Sequence, residues 1–196
     1  MKLLSLFATE INRITDESLR EFVYDYLQNY TPDYFWEIGA SSSGKYHPAL
    51  SQGEGGLVRH TKVACLFLEE LFRMSYYMYM TDEQKDFCRV AMILHDTAKY
   101  GCDDFDKDQY KYHGQNAAIQ VNKAWFENFG ENAPWLLLNA IKSHMGQWTE
   151  PKEDRPMTNL DRCVHMADYM ASRPFIDVPC VTEEYNGFFE DGDLPF

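Results

Sequence analysis

Residues 87–98 read FCRVAMILHDTA. Phe87, Ala91 and His95 recur at four-residue steps, so they share one face of a helix. Just upstream, Thr81 and Gln84 form a T-x-x-Q capping box, the signal that opens such a helix. The helix therefore carries a histidine on its apolar stripe, with an aspartate beside it. Ionisable groups are costly to bury, so this pair asks what compensates them.

The same reading extends outward. Residues 8–29 hold Ile11, Ile14, Leu19, Phe22, Val23 and Leu27 at helical spacing, and residues 57–77 repeat the pattern. Two further helices fit 114–128 and 133–146, the second starting near Pro134. A T-x-x-D box at Thr158 and Asp161 opens another that runs to about Arg173. No alternating strand and no internal repeat stands out. The expected fold is all-α, a compact helical bundle. A small accessory hairpin in 36–56 or the tail is the only β structure allowed for. A chain of 196 residues suits one domain over 1–196. Its core covers about 45–173, with helix 8–29 and the irregular tail 174–196 as additions.

Composition narrows the class. Apolar residues make up 45% and charged residues 25%, as in ordinary globular proteins. No apolar run approaches the roughly 20 residues that span a bilayer, so no membrane association is expected. The opening MKLLSLFATEINRITDE turns acidic at once, unlike a secretory signal. The five cysteines include no C-x-x-C pair, and Cys65, Cys88 and Cys163 lie in helical stretches. They read as buried, reduced thiols of a cytoplasmic protein. A net charge of −13 argues against capture of extended nucleic acid. A small phosphorylated substrate is still allowed, because metal ions can supply local positive charge. The Tyr- and Met-rich MSYYMYM segment suits core packing or a homodimer contact.

Two motifs are decoys. GASSSGKYHP at 39–48 imitates a phosphate-binding P-loop, but Tyr46 replaces the Ser or Thr that would meet Mg²⁺. Upstream TPDYFWEI is broken by proline, and Pro48 blocks a helix directly after the lysine. Asp104, Asp106 and Asp108 open like a calcium loop, yet Gln109 and Gln115 stand where Gly and Glu are needed.

The histidines carry more. His60 shares a helical face with Ala64, Phe67 and Leu71; Leu137 and Ile141 precede His144; Leu160 and Val164 precede Asp168. With His95, three imidazoles and one carboxylate thus converge on the core from four helices. A lone histidine on an apolar face is commonly a hydrogen-bonded core residue. Several such groups arriving from separate helices are how bundles build metal sites.

In order, His60, His95-Asp96 and Asp168 resemble the H…HD…D signature of the HD-domain superfamily of metal-dependent phosphohydrolases. The likeness extends to GGLVRHT, ILHDTAKYG and VHMADYMASR, and spans about 45–173. GGL-x-x-HT and IKSHMG are most similar to the HD domains of bacterial 3′–5′ exoribonucleases and related phage or bacterial phosphohydrolases. The resemblance implies that His60, His95, Asp96 and Asp168 bind a first divalent ion. His113 and His144 stand where two-metal subfamilies add ligands, with Asp96 then bridging. One or two ions of Mn, Fe, Ni, Co, Zn or Mg would suit such ligands. The implied reaction is hydrolysis of a phosphoester or phosphoanhydride of a nucleotide or short oligonucleotide. Asp96 and Lys99 are the expected catalytic residues, Lys99 also meeting the substrate phosphate. Lys45 and His47, in KYHP, are expected as substrate contacts at the pocket mouth, and His165 as a supporting residue. The other readings are a 3′–5′ exonuclease on single strands and a non-catalytic, metal-stabilised sensor.

Overall fold

Helices supply nearly all regular structure in the computed structural model, which describes residues 4–41, 47–103, 105–176 and 178. They are α1 (Ala8–Asn12), α2 (Glu17–Asn29), α3 (Tyr34–Glu37), α4 (Gly56–Leu71), α5 (Asp82–Leu94), α6 (His113–Phe129), α7 (Trp135–Ser143) and α8 (Asn159–Ala171). The all-α expectation holds. Among the described residues there is no strand, and β pairing is limited to an isolated bridge between Lys99 and Gly101. The accessory hairpin is therefore absent from the described part of 36–56; most of the tail lies outside the described residues. Backbone bonds do join the two arms there, Ala40 N to Ser51 O and Leu57 N to Ile38 O, each at 2.9 Å. No ladder follows, because the second arm turns into α4 at once. A Cβ on Gly56 would lie 2.3 Å from the Ser51 carbonyl oxygen, so that approach requires glycine.

α5 is the central element. It packs against α4, α7 and α8 and touches α1 and α2, while α4 runs along α8 and α6 along α7. Val90, Ala91, Met92, Ile93 and Leu94 are all buried, as a helix covered on every side demands. Both capping boxes form, at Thr81 with Gln84 and at Thr158 with Asp161. Asp161 also ties α8 to α7, its Oδ2 accepting from Asn139 Nδ2 at 2.7 Å.

Three boundaries differ from the periodicity. The helix expected over 8–29 is broken at residues 13–16. There the Asp86 carboxylate of α5 accepts bonds from Thr15 N, Thr15 Oγ1 and Asp16 N, and Asp16 caps α2 through Leu19 N. Thr and Asp serve caps better than helix interiors, and a partner 71 residues away claims them. The helix expected over 57–77 stops at Leu71. Beyond it Tyr77 is buried but Met74, Tyr76, Met78 and Tyr79 are exposed, so MSYYMYM is surface rather than core. α5 itself ends at Leu94, and the HDTA segment continues as tight turns.

No described helix is long and apolar enough to cross a membrane. Cys65, Cys88 and Cys163 are free and buried, and burial pushes the Cys65 and Cys88 thiols well up.

The Asp86 junction gives a stability test. Burial alone would raise its carboxyl, but bonds from Thr15 and Asp16 and the Arg89 guanidinium hold it below the usual range. Asp86→Asn should lower the urea midpoint, with a loss of about 2 kcal/mol at pH 7. Because the folded-state value is depressed, the wild-type advantage should be complete above about pH 4 and shrink only below it.

Candidate metal centre

Helix ends position the imidazoles. His95 follows the last residue of α5 and His144 the last of α7, where backbone carbonyls lack helical partners. Each ring turns back on its own helix: His95 Nδ1 meets Met92 O and His144 Nδ1 meets Ile141 O, both at 2.7 Å. His113, first residue of α6, does the same to Tyr110 O at 2.6 Å. A carbonyl only accepts, so each Nδ1 carries a proton and each ring turns its Nε2 toward the centre. Metal-binding histidines are oriented in this way.

Those Nε2 atoms meet. His113 Nε2 and His144 Nε2 are 2.9 Å apart, and Asp96 Oδ1 lies 3.2 Å from the first and 3.7 Å from the second. His95 Nε2 is 3.7 Å from both Asp96 Oδ2 and Asp168 Oδ1. His60 Nε2 bonds Asp168 Oδ1 at 2.9 Å. His95 Nε2 and Asp96 Oδ1 are buried without a hydrogen-bond partner. Six potential ligand atoms thus crowd one buried site, and a divalent cation would satisfy them together. For ligand bonds of about 2.1 Å, neighbouring donors at a right angle sit about 3 Å apart, as the two imidazole nitrogens do. Two sets can hold an ion: His60, His95 and Asp168, and His95, Asp96 and His144. His113 adjoins the second set. The residues fit a divalent ion.

Charge supports the fit. Burial would raise both carboxyls, but Lys99 and His95 hold Asp96 well below the usual range, and His60 and His95 do so for Asp168. Burial opposes the charge on Lys99, yet Asp96 raises its ammonium above the ordinary value. Its Nζ bonds Asp96 Oδ2 at 2.6 Å. Lys99 is buried, where a helix-end lysine in solvent would be exposed. Burial, then His113 and His95, lower His144 to about 3.

All six histidine and aspartate positions expected at the centre are together, including His113, whose phase the preceding loop hides from periodicity. The cluster floors a cavity of about 990 Å³. His47 lines it, its ring 5.0 Å from that of His60 and its buried Nδ1 unpartnered. Burial, then His60 and Lys99, lower His47 to about 3. Lys45 and Tyr46 lie outside the described residues, as does Asp104 of the calcium-loop imitation. Asp106 there merely caps a 3₁₀ turn, accepting from Asp108 N at 2.9 Å. Upstream of the P-loop imitation stands α3 in place of the strand such a loop needs. His165 is not in the cluster but supports it: its Nδ1 donates to His144 O at 2.8 Å. A Cβ on Gly146, at φ +61°, would strike its ring, so glycine makes room for that support. Trp148, Tyr169 and Arg173 also line the cavity and were not singled out as site residues from the sequence. Their spacing carries no apolar stripe aimed at the core.

A family model described as the HD domain matches residues 51–173. No curated protein and no solved structure matches the chain.

The neutral buried imidazoles set an acid response. Unfolded histidines protonate near pH 6.5, whereas folded His144 and His47 stay neutral to about pH 3. Stability of the chelator-treated protein should therefore fall as pH drops below about 6.5. His144→Gln should flatten that slope by up to about 1.4 kcal/mol per pH unit, read from urea unfolding between pH 6 and pH 4.5.

Proposed function

The chain belongs to the HD-domain family, and we propose that it is a metal-dependent phosphohydrolase that cleaves a phosphoester or phosphoanhydride of a nucleotide. HD-domain proteins are in general metal-dependent hydrolases. One observation carries the reading to this chain: His95, Asp96, His113 and His144 crowd their potential ligand atoms together in the buried core, and His95 Nε2 and Asp96 Oδ1 have no hydrogen-bond partner there.

On this reading His60, His95 and Asp168 would hold one ion, and Asp96, His113 and His144 would serve a second. A bound divalent ion supplies Lewis acidity toward a phosphoryl oxygen and lowers the pKa of water. The protein does the rest. Nδ1–H bonds to Met92, Tyr110 and Ile141 carbonyls keep three rings aimed with their Nε2 atoms toward the centre. Asp96, held ionised, is the acceptor at the cavity floor; Lys99 orients it and offers positive charge to a substrate phosphoryl oxygen. His47 stays neutral and offers a nitrogen to the substrate, with Lys45 as a further contact from the same loop. A cavity of about 990 Å³ suits a nucleotide-sized ligand. The net charge of −13 favours a small phosphorylated molecule over an extended strand.

Nucleotides and other phosphoesters assayed with Mn²⁺, Co²⁺ or Ni²⁺ should be hydrolysed, and a chelator should stop the reaction. Asp96→Ala should abolish turnover, and Lys99→Ala should lower kcat about 100-fold. Stoichiometric metal with no turnover of any phosphoester would refute the enzyme and favour a sensor. Processive digestion of single-stranded RNA would favour the exonuclease.

A further inference from the structure

The cavity is much larger than a phosphoryl group, and its upper wall has a feature that the ion-binding cluster does not use. Trp148 closes the 3₁₀ turn Gly146–Trp148 and lies nearly parallel to Tyr169 of α8, 13° between planes and 5.9 Å between centroids. The Arg173 guanidinium lies 4.0 Å from the Tyr169 ring centroid. It is pinned there: Nε donates to Tyr169 O at 3.0 Å and Nη2 to Ser172 Oγ at 2.7 Å. Ser172 Oγ donates in turn to Tyr169 O at 2.8 Å. Indole, phenol and guanidinium therefore form a fixed series of flat groups along one wall of the cavity.

The series is built for something beyond packing. Trp148 is 51% exposed although it is stacked on Tyr169, which leaves much of the indole surface open where it lines the cavity. Side chains held by backbone carbonyls lose little freedom when a ligand arrives. Flat heteroaromatic bases stack on such surfaces whatever their sequence of polar groups, since every base has a π-face.

We propose that Trp148, backed by Tyr169 and Arg173, is a base-stacking platform that selects nucleotides over other phosphoesters. This rests on the hydrolase reading and adds the residues that recognise the organic half of the substrate. The phosphate is held at the cluster while the base lies on the Trp148 indole.

The test compares wild type, Trp148→Ala and Trp148→Phe on nucleoside monophosphates of all four bases, 5′ and 3′, and on ribose 5-phosphate. Trp148→Ala should raise KM for nucleotides roughly 5- to 100-fold. It should leave kcat within about twofold and ribose 5-phosphate unaffected. Trp148→Phe should restore most of the affinity. In parallel, free nucleosides are titrated into chelator-treated protein and tryptophan fluorescence is followed. Saturable quenching in wild type that is lost in Trp148→Ala is expected. The proposal is overturned if Trp148→Ala changes nucleotides and ribose 5-phosphate equally, or changes neither. If no phosphoester is turned over, the hydrolase reading fails and the nucleoside titration alone decides the platform. Quenching that is absent in wild type, or equal in Trp148→Ala, then refutes it.

Discussion

Four imidazoles and two carboxylates crowded into one buried cluster are the constraint around which this bundle is organised. His113 Nε2 and His144 Nε2 approach to 2.9 Å, while His95 Nε2 and Asp96 Oδ1 are buried without partners. Left alone, such a set costs several kcal/mol of desolvation and repulsion. Lys99 meets part of that cost by standing on Asp96 Oδ2. On the proposed reading a cation among the nitrogens would meet the rest.

Elsewhere the surrounding helices pair the charges they bury. Lys62, fully buried in α4, donates to Leu6 O at 2.6 Å and to Glu10 at 2.9 Å and 3.0 Å, which fastens the N-terminal turns to the bundle. Arg89 on α5 pairs with Glu69 of α4 at 2.7 Å and with Asp86 at 2.9 Å. These pairs share one plan: each buried charge has its opposite in contact, and the centre departs from that plan. Trp148 and Tyr169 sit at the opposite extreme, a surface left open above the buried charges.

Much of this was legible in the sequence, for physical reasons. Helical phase is a local property, so it brought His60, His95, His144 and Asp168 to the core from four separate stretches. Capping boxes at Thr81 and Thr158 are local too, and both are present. His113 escaped phase analysis because a 3₁₀ turn at Lys107–Tyr112, not a helix, leads into it. The break before α2 was hidden because its cause, Asp86, is remote in sequence. Trp148 escaped notice as a site residue in the sequence, since its partner Tyr169 lies on another element and nothing near residue 148 announces the stack. The phosphate-loop imitation at 39–48 misleads by composition alone, and His47, within it, reaches the same cavity.

The most direct measurement is anomalous diffraction from crystals grown with Mn²⁺ or Co²⁺. The account predicts anomalous peaks inside the cluster, one against His60, His95 and Asp168 and one against His113 and His144, with Asp96 between. No peak there, with His113 and His144 sharing a proton instead and Asp96 held by Lys99 alone, would contradict it.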